Sequence, residues 1–159
     1  LEGLVDVYLP DFKYADDALA VRLSNAPDYS ATALAALREM VRQTGENVYG
    51  DDGLLQRGVI VRHLILPAHT RNSLAVLDLL AAEFPGVPVS LMAQYVPMGR
   101  VPADARYADV NRRVTAREYR KVLDHMMALD LDGFCQERSA AEARYVPDFT
   151  QFDAVPDQK

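Results

Sequence analysis

The stretch Arg57-Gly58-Val59-Ile60-Val61-Arg62-His63-Leu64-Ile65-Leu66-Pro67 decides how the chain is read. Without Arg62 and His63 it is a core strand, rich in Val and Ile, opened by Gly and closed by Pro. An apolar run without alternation predicts a strand covered on both faces, the usual state of a parallel sheet flanked by helices. A guanidinium in such a place needs a partner or a ligand, because burying it unpaired is costly. Ligands of open α/β sheets and barrels bind at the carboxyl ends of the strands, and Arg62 lies toward that end. Two readings stay open from this strand alone: Arg62 braces the core against a neighbouring aspartate, or it faces a ligand.

Upstream, Leu4 to Leu9 read as a second strand, ended by Pro10 and followed at once by Asp11-Phe12-Lys13. In extended chain Asp11 and Lys13 point the same way. Asp17 to Leu23 predicts a short helix with Asp16 and Asp17 at its N-terminus. Leu34, Leu37 and Val41 predict a helix over 31–43, capped by Ser30 and stopped by Gly45. Residues 46–56 read as a loop or small hairpin. Downstream of the central strand, Leu74, Leu77, Leu80 and Phe84 mark another helix, with Asn72 or Ser73 as its cap and His69 as an exposed loop histidine. Residues 87–95 form a third strand ending in Gln94 and Tyr95, an amide and a phenol at its carboxyl end. A long irregular loop covers 96–114, and loops of that length are usually functional or mobile. Thr115-Ala116-Arg117-Glu118 is a capping box. It opens a helix with Tyr119, Val122, Leu123, Met126 and Leu129 inward, stopped by Gly133. Phe134 to Glu137 read as a last short strand that packs Cys135, and the tail from about residue 141 as irregular.

The order β-α-α-β-α-β-α-β predicts parallel pairing with right-handed crossovers in one domain of 159 residues. Three polar carboxyl ends then share one sheet edge: Asp11 with Lys13, Arg62, and Gln94 with Tyr95. The net charge of −6 argues against nucleic acid and against anionic membranes as partners. No apolar run approaches the ~20 residues of a membrane span, and there is no signal-peptide pattern. The single cysteine excludes an internal disulfide and a cysteine-rich metal site, and fits a reduced, cytoplasmic setting. There is no glycine-rich phosphate loop, no nucleophile elbow, and no zinc-ligand spacing. What remains is a cationic pair with one carboxylate, which suits an anionic or zwitterionic ligand.

Val7-Tyr8-Leu9-Pro10-Asp11-Phe12-Lys13-Tyr14, the stretch 57–67, Met92-Ala93-Gln94-Tyr95 and Asn111-Arg112-Arg113-Val114-Thr115 together resemble the radical S-adenosylmethionine (SAM) proteins of the pyruvate formate-lyase activating enzyme-like group. The resemblance runs in order to about Phe149. It implies a partial (β/α)6 TIM-like barrel, a [4Fe–4S] cluster on a Cys-x-x-x-Cys-x-x-Cys loop, and reductive cleavage of SAM to a 5′-deoxyadenosyl radical. That radical abstracts hydrogen from a target, in activases a glycine of a partner enzyme, with electrons from a separate donor. By motif, Asp11 and Lys13 resemble the Asp-x-Lys beside SAM, Arg62 the strand arginine that contacts it, and Gln94 and Tyr95 residues lining the site. The cysteine triad and the Gly-Gly-Glu-Pro segment of the family's first half-barrel are not in this sequence. The chain therefore reads as the carboxyl-terminal half of such a barrel, without the cluster ligands and inactive by itself. With an open edge and apolar faces, it is expected to self-associate. The alternative is a stand-alone α/β module that holds an anionic or zwitterionic metabolite without catalysis.

Overall fold

The computed structural model describes residues 1–135. The elements are β1 (Val7–Tyr8), α1 (Asp17–Ser24), α2 (Tyr29–Thr44), β2 (Val48–Tyr49), β3 (Leu55–Val59), β4 (Val61–Leu64), α3 (Thr70–Glu83), β5 (Val89–Met92), α4 (Ala116–Ala128) and β6 (Gly133–Cys135). The central strand is present as β3 and β4, separated only by Ile60.

That separation does not divide the sheet. β1 pairs in parallel with β3, with Val7 opposite Gly58. The ladder then continues past the break: Ile60 N–H donates to Tyr8 O, Arg62 N–H to Pro10 O, and Phe12 N–H back to Arg62 O. On the other edge β4 pairs in parallel with β5, and β5 with β6. The small hairpin expected over 46–56 is β2, antiparallel to β3. Gly58 sits beside it at φ 138°, and the Asn47 side chain fills the space that a Cβ there would need. Asn47 bonds both the N–H and the C=O of Val59 (2.9 and 3.1 Å), standing in for a strand partner. The result is an open α/β sheet with parallel strands in chain order, β1, β3–β4, β5, β6, and helices between them. Leu37 of α2, Leu77 of α3 and Val122 of α4 pack in one cluster with Val59, Val61 and Val89, which puts those helices on one face of the sheet.

Burial follows that arrangement. Val59, Val61, His63, Ile65, Val89 and Leu91 are fully buried, with Leu37 of α2, Val76, Leu77 and Leu80 of α3, and Val122 and Met126 of α4. On the opposite face Ile60, Leu64, Ser90 and Met92 are only half-buried, and Leu9 and Phe134 are each 53% exposed. The expectation of a strand covered on both faces is therefore corrected. Burial alternates along β4, but apolarity does not, because the uncovered face also carries Ile60 and Leu64. Arg62 lies on that uncovered face and is exposed.

The helix boundaries show local chemistry at work. Asp16 caps α1, its carboxylate accepting from Ala18 and Leu19 N–H. α2 begins before Ser30, so Ser30 is not its cap; its N–H donates instead to Asp17 (3.0 Å). Gly45 ends α2 as expected. The Thr115–Glu118 capping box forms, and Glu118 also accepts from Ala68 N–H (2.7 Å) and from Arg112. This ties the exit of β4 to the start of α4. The turn after α4 is made by Asp130 at φ 54°, not by Gly133. Gly133 belongs to β6, where a Cβ would run into Val89 O and Met126. Cys135 is exposed rather than packed, since β6 is the outer strand. Gln136, Glu137 and the tail lie outside the described residues. No helix among the described residues is long and apolar enough to cross a membrane.

Candidate functional site

Asp11 stands directly across from Arg62 in a parallel bridge, so both side chains leave the sheet on its uncovered face. Asp11 Oδ1 lies 2.7 Å from Arg62 Nη2, and Oδ2 lies 3.5 Å from Lys13 Nζ. Arg62 is thus braced by an aspartate, as one of the two readings has it. The brace is not in the core, because both cationic side chains are 44% exposed. Exposed pairs of this kind contribute at most about 1 kcal/mol. One carboxylate between two cations also leaves a positive charge unmatched, directed at open space. Asp11 Oδ1 is shielded from solvent yet accepts no hydrogen bond; its contact with Arg62 is ionic, without an aligned N–H.

The backbone under this cluster is held from three elements. The Tyr29 hydroxyl, on α2, donates to Asp11 O (3.1 Å) and accepts from Lys13 N–H (3.0 Å). His63 Nδ1, on β4, donates to Phe12 O (2.7 Å). Asn72, on α3, donates through Nδ2 to Lys13 O (2.9 Å) and accepts at Oδ1 from Ala15 N–H (2.9 Å) and Asp16 N–H (3.3 Å). The peptide groups of Asp11, Phe12 and Lys13 are therefore fixed by side chains, and the Phe12 ring is anchored in the core. Such fixation keeps the two charges at the sheet surface in one geometry. Asn72 is not a helix cap, since His69 occupies that position.

His63 is fully buried, and burial pushes its pKa down from 6.5 to about 4. With Nδ1 donating, Nε2 has no hydrogen-bond partner among the described residues. The folded state holds this imidazole neutral, whereas the unfolded chain takes up a proton below about pH 6.5. More protons are then bound unfolded than folded, so stability rises with pH across this window and is lost as pH falls. The group's full contribution is present above pH 6.5, and roughly 3 kcal/mol is lost by the time pH reaches 4, at about 1.4 kcal/mol per pH unit. His63→Asn keeps a donor for Phe12 O but cannot titrate. Urea unfolding at about pH 7 and about pH 5 should show a loss of about 2 kcal/mol in the parent sequence that the variant lacks. Equal losses in both would contradict this role for His63.

Gln94 and Tyr95 do not join the cluster. Tyr95 packs beside Tyr14 and Leu66 in a second apolar group, and its pKa is raised, mainly by burial. Gln94 follows Ser90 and Met92 in the alternation, and its Oε1 is buried without a partner among the described residues. His69 is not a free loop histidine. Its Nε2 lies 2.6 Å from Asp109 Oδ2, and Arg22 grips the same carboxylate at 3.0 and 2.6 Å. The Arg22 guanidinium above all holds the Asp109 carboxyl well below the usual range. This clasp fixes the far end of the 96–114 loop to α1 and α3. An apolar cavity of about 430 Å³ between the 10–12 segment and α2 touches the charged cluster only through Asp11. Among the described residues no three His, Cys, Asp or Glu side chains gather as a metal site.

No family model matches the chain. The chain is similar to an uncharacterized protein of Methanocaldococcus jannaschii, 29% identical over 133 residues, an alignment covering 83% of this chain and 34% of that relative. The chain thus spans about a third of the length of the curated relative it matches.

Proposed function

We propose that this chain is the carboxyl-terminal half of a radical SAM barrel, part of a pyruvate formate-lyase activating enzyme-like oxidoreductase, and that Asp11, Lys13 and Arg62 face the bound SAM. The observation that carries the reading is the shared carboxylate: Asp11 bridges Lys13 and Arg62 on the uncovered face of the sheet. SAM presents a carboxylate beside an ammonium and a sulfonium. The unmatched positive charge suits the first, and the Asp11 carboxylate, already held by Arg62 and Lys13, keeps that charge in place. Sequential parallel strands with one bare face are also what half of a barrel presents.

When bound, SAM supplies the hydrogen-abstracting radical. This chain's residues bind and orient it: Arg62 and Lys13 through charge, Asp11 by keeping both cations in place, Tyr29, His63 and Asn72 by fixing the backbone below. The [4Fe–4S] cluster does not fit this chain, which has one cysteine, exposed on an outer strand. Its ligands belong to another part of the parent protein. The parent works in the cytoplasm with an electron donor and a radical target, such as a glycyl radical enzyme.

The test is anaerobic incubation of the full-length parent with SAM and a strong reductant. Release of 5′-deoxyadenosine supports the reading. A full-length protein that lacks the three-cysteine loop and leaves SAM intact contradicts it, and favours a module that only holds a zwitterionic metabolite. The bare face, with Leu9 and Phe134 exposed, also predicts self-association of the isolated chain. Light scattering that finds only monomer at micromolar concentration would count against the half-barrel.

A further inference from the structure

A second recess lies under the 96–110 loop, beyond the carboxyl ends of β4 and β5. It has a volume of about 330 Å³, and its walls include Tyr14, Leu66, Tyr95, Met98, Arg100 and Tyr107. That is within the ~300–1,000 Å³ range of small-molecule sites. Its roof is built rather than draped. Asp109 is clasped by Arg22 and His69, Arg22 also donates to Arg106 O (3.1 Å), and Val110 is buried. Arg106 is spent on Asp104, bidentately, and stands 5.8 Å over the Tyr107 ring. The loop's two carboxylates are therefore each matched by a guanidinium, while Arg100 forms no ion pair among the described residues. The Tyr14 hydroxyl is taken by Ser24 (2.7 Å). Those of Tyr95 and Tyr107 have no hydrogen-bond partner among the described residues. The recess thus offers aromatic and aliphatic walls, two phenols without a hydrogen-bond partner among the described residues, and at its rim Arg100, a cation whose charge reaches Asp104 only beyond ion-pair distance.

We infer that this recess is a binding site for an aromatic carboxylate, with the ring between the tyrosines and Met98 and the carboxylate on Arg100. Ring contacts with aromatic and thioether groups favour a flat apolar body, and a guanidinium favours a carboxylate over its neutral amide. The inference goes beyond the SAM reading and does not depend on it: none of Asp11, Lys13 and Arg62 lines the recess, and Tyr95, which the resemblance puts at the SAM site, is assigned to the recess instead.

The test is a titration of the isotope-labelled chain with 3-(4-hydroxyphenyl)propionate, followed by amide chemical shifts. The matching amide and plain propionate serve as comparison probes. The expected result is saturable binding that moves resonances of the 95–107 segment, with the amide and propionate each at least about tenfold weaker. Arg100→Gln should weaken the acid about tenfold and leave the amide unchanged. Tyr95→Phe should weaken both by a few-fold. Arg100 makes no side-chain hydrogen bond or ion pair among the described residues, so its replacement should leave the fold in place, and an unchanged spectrum elsewhere confirms that. No saturable binding at millimolar concentration, or equal affinity for acid and amide, overturns the inference. So does binding that Arg100→Gln and Tyr95→Phe both leave untouched.

Discussion

Asn72→Leu should destabilise the fold by about 3 kcal/mol, with little change in side-chain volume. Asn72 is buried and makes three hydrogen bonds to the backbone of Lys13, Ala15 and Asp16. A leucine there leaves those peptide groups facing an apolar side chain. Each orphaned buried group costs about 1–3 kcal/mol, and the lower end applies here because the segment is only partly buried. For a domain of this size the melting temperature should fall by roughly 6–12 °C. Equilibrium unfolding in urea measures the loss. A cost below about 1 kcal/mol would mean that the 13–16 segment is held by other contacts, and the account of a pre-fixed cluster would fail at its base.

Arg62→Ala should behave in the opposite way. Its side chain is exposed and its only described partner is Asp11, so folding should change by about 1 kcal/mol or less. Ligand binding should change far more. A hydrogen bond from a charged donor to a carboxylate is worth about 1.5–3 kcal/mol, which is about 10- to 150-fold in affinity. The pair of variants separates two kinds of contribution within one small region: Asn72 holds the chain, whereas Arg62 is proposed to hold a ligand. A purely structural brace would show the larger effect in stability at Arg62.

Much of this was legible in the sequence, for reasons that differ by residue. Asp11, Lys13 and Arg62 could be brought together because strand alternation and parallel order leave few other placements. The Thr115–Glu118 box and the Gly45 stop are local signals, and they hold. Asn72 was misread as a cap because a cap is the local use of an asparagine. Its true partners are 56–59 residues away, and no periodicity encodes that. His69 was misread for the same reason, its carboxylate partner lying 40 residues on. The central strand reads in sequence as covered on both faces because its uncovered side is also apolar. An apolar residue on a bare face looks, in sequence, the same as one in a core. That ambiguity is itself informative, since it marks a surface that asks for a further partner. Tyr95 lies at the end of its strand as expected, but its ring turns into the second apolar group, a choice that the pattern of residues alone does not make.

The most direct measurement is calorimetric titration of SAM into the full-length parent protein, in the parent sequence and in its Arg62→Ala and Lys13→Ala variants, with melting curves recorded alongside. The account predicts that both substitutions weaken SAM binding, Arg62→Ala by at least about tenfold, while melting temperatures stay within about 3 °C. SAM affinity unchanged in both variants, with each still folded, would contradict it.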